Sequence, residues 1–443
     1  MKTPIFDFVK SYREKDSTRL HMPGHKGKGF LGIESLDITE IDGADVLYSP
    51  DGIIGESENN ASSLFRTKHT FYSTEGSSLA IRAMVFLATH NKENPLILAS
   101  RNVHKAFVYA AALCDCEVGW IYPQKREHLC SCTVTAEDVK KAILSSEEKP
   151  CAVYLTSPDY LGNILDIKSI SEVCREYDIP LLVDNAHGAY LAFTENSRHP
   201  VHLGASICCD SAHKTLPVLT GGAYLHISEN APESFLRNAR SALSLFASTS
   251  PSYLIMQSLD LCNAYLESSY REKLSATAKK VSSLKEFLTE KGFSLQGDEL
   301  LKIAVKAPSY GYTGYELYDI LKDNNIFCEF CDRDYLVMMF TPETDECDFE
   351  KVESAFEAIA KKELFDSTEA EIKETFKKAV SIRKAIFSPY ETVAVENAVG
   401  RICASPTVSC PPAVPVVISG EKITEESVRL LRLYGIEKID VII

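Results

Sequence analysis

The chain has 443 residues, 45% of them hydrophobic and 25% charged, with a formal net charge of −15. That length exceeds one ordinary core, so two or three domains are expected, and the composition is that of a soluble globular protein rather than a disordered or fibrous one. The acidic balance argues against nucleic acid or an anionic membrane as a partner, since both are held through basic surfaces, and it is compatible with a cationic substrate.

The N-terminus, Met1-Lys2-Thr3-Pro4-Ile5-Phe6-Asp7-Phe8-Val9-Lys10, carries no sustained apolar stretch. No run further on reaches the roughly 18 apolar residues a membrane helix needs, and a cytoplasmic location is expected. From about residue 60, apolar runs alternate with helical patterns. Residues 95–100, 116–122, 151–156, 180–184, 205–209 and 222–227 read as strands, and 78–89, 104–113, 135–145 and 167–177 as helices. Such alternation implies an α/β fold with a mostly parallel sheet, whose ligands gather at the carboxyl ends of the strands. Residues 251–275 read as one long helix. A smaller α+β unit follows, with strands at 301–305, 326–330 and 335–340 and helices at 315–323 and 348–361. A charged helical bridge at 367–378 leads into the proline-rich run 409–418.

Fourteen cysteines in such a chain are reduced thiols rather than a disulfide framework. Cys114-Asp115-Cys116 and Cys130-Ser131-Cys132 lack the spacing of a structural zinc site, so no metal is expected. Cys208-Cys209 reads as core packing.

Lys214, in Ser211-Ala212-His213-Lys214-Thr215, lies between an apolar strand and the Gly221-Gly222 turn. A lysine there either snorkels out of a loop or, partly desolvated, serves as an amine nucleophile toward a carbonyl. Upstream, Leu181-Leu182-Val183-Asp184 ends an apolar strand on a carboxylate. Asp184 either caps the next helix or pairs with a protonated ring nitrogen. Ser73-Thr74-Glu75-Gly76-Ser77-Ser78 opens a helix and reads as an ordinary N-cap or as a phosphate cradle of free N–H groups. His104 also follows a strand and is either a plain polar residue or a ring-stacking imidazole. All four features fall at one sheet edge.

Together these residues resemble the ornithine/lysine/arginine decarboxylases of fold-type I. The matching motifs run through nearly the whole chain: His21-Met22-Pro23-Gly24-His25-Lys26, Asp37-Ile38-Thr39-Glu40, Arg101-Asn102-Val103-His104-Lys105, Thr156-Ser157-Pro158, Val183-Asp184 with Ala186-His187-Gly188, Ser211 to Leu216, Ser248 to Tyr253, Pro411-Pro412 and Gly420-Glu421. The resemblance implies pyridoxal 5'-phosphate as cofactor. It further implies an N-terminal arm over 1–60, a cofactor-binding domain over 61–265, a small α+β domain over 266–365 and a C-terminal domain over 366–443.

It also implies roles. Lys214 would be the Schiff-base lysine, Asp184 the partner of the pyridine nitrogen, and His104 the residue stacked on the ring. Ser77, Ser78, Ser211 and His213 would hold the phosphate, with Thr249 reaching over from a second subunit and His187 near the phenolic oxygen. Lys214 or His213 would return a proton to Cα. The active sites would be shared in a homodimer, without the N-terminal domain of the longer relatives or their larger rings. The expected reaction is decarboxylation of a basic amino acid for polyamine synthesis, arginine first, then lysine or ornithine. Another pyridoxal-phosphate reaction, aminotransfer or lysis, and a non-catalytic protein of this fold are the alternatives. The distal cation needs an anion, for which Asp51, Glu56, Glu58 and Glu421 are the candidates. Six positions depart from the family pattern: Tyr48, Asn185, Asp210, Gly221, Cys410 and Ala413.

Overall fold

The computed structural model describes residues 1–15, 17–123, 128–364, 372, 375–406 and 412–443. Most of the expected bridge at 367–378, and Cys410 and Pro411, lie outside these. The chain forms two compact units, each built from two stretches: Met1–His90 with Cys174–Lys273, and Asn91–Val173 with Leu274–Ile443. The strands are β1 (His69–Ser73), β2 (Leu96–Ser100), β3 (Glu117–Ile121), β4 (Ala152–Thr156), β5 (Leu181–Asp184), β6 (Ile207–Asp210) and β7 (Ala223–Ile227), and all but β1 follow the expected runs.

In the first unit the strand order is β1-β7-β6-β5. β5 and β6 are parallel, with Asp184 opposite Cys209. β7 runs antiparallel to β6, pairing Tyr224 with Asp210, and β1 antiparallel to β7, pairing Ser73 with Ala223. Two reversals make β1 parallel to β6. The carboxyl ends of β1, β5 and β6 therefore emerge at one edge, beside the start of β7. β1 escapes sequence reading because it buries polar side chains: Thr70 and Ser73 are both 0% exposed. Thr70 is satisfied by hydrogen bonds instead, its hydroxyl to His226 Nδ1 at 2.9 Å and its N–H to Ser62 Oγ at 2.8 Å.

The helix Gly76–Thr89 leaves β1 and is apolar nearly all round, burying Leu79, Ala80, Ile81, Ala83, Met84, Val85, Leu87 and Ala88. Such a helix belongs in a core rather than on a surface. At the chain's start, the helix Pro4–Glu14 has no cap from Thr3. The buried Asp260 carboxylate serves instead, accepting from Ile5 N at 2.9 Å and Phe6 N at 3.0 Å. The expected single helix over 251–275 is two, Tyr253–Ser268 and Tyr270–Lys291. Ser268 Oγ donates back to Tyr265 O at 3.1 Å. That hydroxyl competes with the helical ladder just before the break at Ser269.

His202, in the turn before β6, donates from Nε2 to Phe65 O at 2.7 Å, while Nδ1 meets Ser197 Oγ at 2.6 Å. Burial, with repulsion from His199, lowers this imidazole to about 4. As pH falls below the ordinary histidine value of about 6.5, the unfolded chain takes up a proton that the folded protein refuses. Folding stability is therefore expected to decline between that value and about 4. The decline in urea midpoint over this range should be shallower in His202→Gln.

In the second unit β4, β2 and β3 are parallel, in that order. A four-stranded antiparallel sheet follows, β8 (Ser294–Gln296), β9 (Lys302–Lys306), β10 (Phe330–Cys331) and β11 (Tyr335–Met339), in the order β10-β11-β9-β8. The strand expected at 326–330 shortens to β10 because Ile326 N–H is drawn back to Leu321 O at 2.9 Å, ending the preceding helix. β12 (Tyr390–Ala394) and β13 (Lys438–Ile442) form a two-stranded ribbon over a separate core that includes Val416, Val417, Leu430, Leu431 and Val441. No helix among the described residues is long and apolar enough to cross a membrane.

Candidate active site

At the edge of the first unit, the turn after β1 is set by glycine. Gly76 has φ +71° and Gly221 φ +100°. A Cβ on Gly221 would stand 2.9 Å from Thr74 O, and Gly221 O accepts the Gly76 N–H at 2.7 Å, so the two loops meet backbone to backbone. Glu75 occupies the N-cap of the helix Gly76–Thr89 without a side-chain cap bond. Its carboxylate turns away to accept Ser248 N–H at 2.7 Å. The first-turn N–H groups at Ser77 and Ser78 are thus left to an anion. Ser211 Oγ joins them, donating to Ser77 Oγ at 2.8 Å.

Asp184, 2% exposed, ends β5. It does not cap the next helix, whose N-cap is Gly188. Its Oδ1 accepts from Ala186 N at 3.2 Å and from Cys209 Sγ at 3.7 Å, so Cys209 does more than fill the core. Lys214 lies on the one-turn helix Ala212–Thr215 after β6, with Nζ 3.0 Å from Nε2 of the buried His187. His213 donates from Nδ1 to Gly222 O at 3.1 Å. Burial lowers its pKa, and the neighbouring Lys214 adds to this against the pull of Gly222 O. The ring is therefore held neutral with Nε2 as an acceptor. Thr249 is exposed, one residue beyond the Ser248 tether.

An uncapped helix end with hydroxyls, a primary amine and a buried carboxylate converge here. That donor set fits a phosphorylated aldehyde with a basic ring nitrogen, the group the sequence resemblance implies.

In the second unit His104 is the N-cap of the helix Lys105–Leu113, its Nδ1 accepting Ala106 N–H at 3.1 Å. This fixes the tautomer with the proton on Nε2. Of the four carboxylates considered for a distal cation, two are engaged by the protein itself. Glu58, 0% exposed, is bridged by Arg240, whose Nη1 is 2.9 Å from Oε1, and accepts Tyr72 N–H at 2.9 Å. Glu421, 3% exposed, accepts from Arg101 Nη2 at 2.9 Å and Ile418 N at 2.7 Å. Asp51 and Glu56 are exposed.

Sequence reading missed the residues beneath this edge. Among the described residues, one cluster has the make-up of a metal site, His199, Cys208 and Asp210; its cysteine comes from the Cys208-Cys209 pair read as core packing, not from Cys114-Asp115-Cys116 or Cys130-Ser131-Cys132. Asp210 appeared in the sequence only as a departure from a pattern.

The profile described as "Orn/Lys/Arg decarboxylase, major domain" matches residues 3–307, and that of the C-terminal domain of the same family matches 359–437. An arginine decarboxylase of Bacillus subtilis is 30% identical over 457 aligned residues, covering 96% of this chain and 92% of that protein. An arginine decarboxylase of Bacillus anthracis is 28% identical, covering 97% and 92%. The solved structure of the Francisella novicida lysine decarboxylase LdcF superposes with a TM-score of 0.82 at 17% identity, over 100% of this chain and 81% of the other, and shares its fold.

Proposed function

Because the chain belongs to the Orn/Lys/Arg decarboxylase family, we propose that it releases CO₂ from arginine with pyridoxal 5'-phosphate, taking lysine or ornithine less well. The observation that carries this reading is the edge where Lys214, His187, Asp184 and the Ser77–Ser211 pair meet. The preference for arginine rests on the relatives at 28% to 30% identity.

When bound, the cofactor supplies a protonated pyridine ring that accepts the electron pair left as the Cα–carboxylate bond breaks. Lys214 would anchor its aldehyde, Asp184 would keep the ring nitrogen protonated, His187 would lie near the phenolic oxygen, and His104 would be the residue stacked on the ring. Ser77, Ser78 and Ser211, with the uncapped helix end and His213, would hold the phosphate, and Thr249 would add a hydroxyl from a second copy.

Lys214 Nζ, once the substrate amine takes its place, holds the proton that Cα must regain. His187 Nε2, 3.0 Å away, is within hydrogen-bond reach of that amine and would keep it oriented. His213, whose Nδ1 is engaged by Gly222 O, would have to carry a proton on Nε2 to hold the phosphate or to return one to Cα, and on that condition is the alternative to Lys214. Glu58 and Glu421 hold arginines of the chain itself, which leaves Asp51 and Glu56 as the candidates for the distal cation.

On this reading residues 1–60 form an arm, 61–265 the cofactor domain, 266–365 the small domain and 366–443 the C-terminal domain. The arm exposes large apolar side chains in succession, Leu20 at 89%, Met22 at 70%, Phe30 at 106% and Leu31 at 79%. A surface of that kind calls for cover, and a second copy of the chain sharing its active sites provides it. We place the enzyme in the cytoplasm, where its product would feed polyamine synthesis.

The test is to supply the cofactor-loaded protein with L-arginine, L-lysine and L-ornithine and to follow CO₂ and amine. Turnover of arginine with the highest kcat/KM is expected. No CO₂ from any of the three overturns the reading.

A further inference from the structure

Behind the cofactor edge lies a buried polar cluster that none of the roles above uses. Asp210, 0% exposed, receives three donors: Asn185 Nδ2 on Oδ1 at 2.7 Å, His199 Nε2 on Oδ2 at 3.0 Å and His226 Nε2 on Oδ2 at 3.1 Å. His226 passes the chain on, its Nδ1 facing Thr70 Oγ1 at 2.9 Å on β1. Phe65 covers the cluster, its ring centroid 5.8 Å from that of His199 and 4.6 Å from that of His226. Burial alone would raise the Asp210 pKa, but the two facing imidazoles prevail and hold it below the ordinary carboxylate range. Burial lowers that of His226 against the pull of Asp210, consistent with a neutral ring that donates from Nε2 and accepts from Thr70.

The connectivity matters more than the charge. Asn185 directly follows Asp184, and Asp210 directly precedes Ser211 in the turn that carries Lys214. The Asn185 side chain bonds Asp210, while its N–H donates to Cys209 O at 3.0 Å. Through His226 and Thr70 the same carboxylate reaches β1, whose end opens the Ser77 turn. We propose that Asp210 is a positioning residue, which through Asn185 and His226 fixes the exits of β5, β6 and β1, and with them Asp184, Lys214 and Ser77, before the cofactor arrives. A charge-assisted bond between fully buried groups is strong enough for this and is costly to leave half made.

A metal reading of His199, Cys208 and Asp210 is less well supported. Metal-bound histidine passes its other ring N–H to an acceptor, and the buried Nδ1 of His199 has none.

The inference rests on the cofactor assignment for its affinity readout but not for its structural one. Asp210→Asn, Asn185→Ala and the double variant would be compared with the parent by amide hydrogen exchange at 184–188 and 211–216 without cofactor, and by absorbance titration with pyridoxal 5'-phosphate. Each single change should speed exchange in both segments and weaken cofactor binding about tenfold or more, and the double change should be no worse than the stronger single. Unaltered exchange in both segments, effects that multiply in the double variant, or stoichiometric metal in the parent that Asp210→Asn loses would each overturn it. Should Asp210→Asn fail to fold, Asn185→Ala alone decides. A parent that binds no cofactor defeats the cofactor assignment, while exchange still tests the clamp.

Discussion

Lys214→Ala is expected to slow CO₂ release from arginine by on the order of 10⁴-fold or more, because on the proposed reading one amine carries both the attachment of the cofactor and the proton that Cα regains. Reduction with borohydride separates these two losses. The parent should carry the reduced cofactor on the peptide containing Lys214, and the variant should carry none. Lys214→Arg should fare no better, since a guanidinium stays protonated and is no nucleophile. Lys214 is only half-buried on a one-turn helix, so thermal stability should change little in either variant. A variant retaining a rate near that of the parent would remove Lys214 from the chemistry.

Glu421→Ala is expected to cost about 3–5 kcal/mol of stability, read as a lower denaturant midpoint, because it leaves a buried arginine without its counter-charge. Arg101 is 0% exposed and packed around its cation on every side. Its Nη1 lies 3.3 Å from Pro415 O and its Nη2 3.1 Å from Val416 O, with the Trp120 ring 5.3 Å and the Phe376 ring 5.8 Å from the guanidinium carbon. The pair therefore pins 415–421 against the exit of β2. Ala413 O strengthens the same junction by accepting the N–H of Lys105, the residue after His104, at 2.9 Å. Glu421→Gln, which retains an acceptor, should lose less. A raised KM for arginine at unchanged stability would instead make Glu421 the anion for the substrate's distal cation.

These two residues mark which placements a local pattern carries and which it does not. Lys214 was legible because its neighbours carry their signal locally: an apolar strand before it, a glycine turn after it, and a family motif around it. Strands β2 to β7 and the helices between them were legible for the same reason, each being a short apolar or amphipathic run bounded by turn residues. Glu421 was not, because its partner is 320 positions away and nothing in either neighbourhood announces it. Glu58 and Arg240, 182 positions apart, are the same case. β1 failed for a different reason: its inward face is polar and satisfied by His226 and Ser62, which an apolar pattern does not register. Asn185 and Asp210 were visible as two separate departures from the family pattern, and only the fold shows them to be one hydrogen-bonded pair.

Both compact units are discontinuous in sequence, and this bears on how the protein is made. The first unit begins at Met1 but needs residues up to Lys273, while the second begins at Asn91 and ends at Ile443. On the ribosome, the strands β2 to β4 emerge before β5, β6 and β7, which complete the sheet of the first unit. The stretch Met1–His90 must then wait, with the apolar sides of its helices uncovered, through 83 residues of the other unit, Asn91 to Val173. A unit built from two stretches closes only when its second stretch has been made, so the long-range contacts of the first unit come late. A message cut short before codon 273 would leave neither unit whole, so partial products should be insoluble or rapidly degraded rather than stably folded halves.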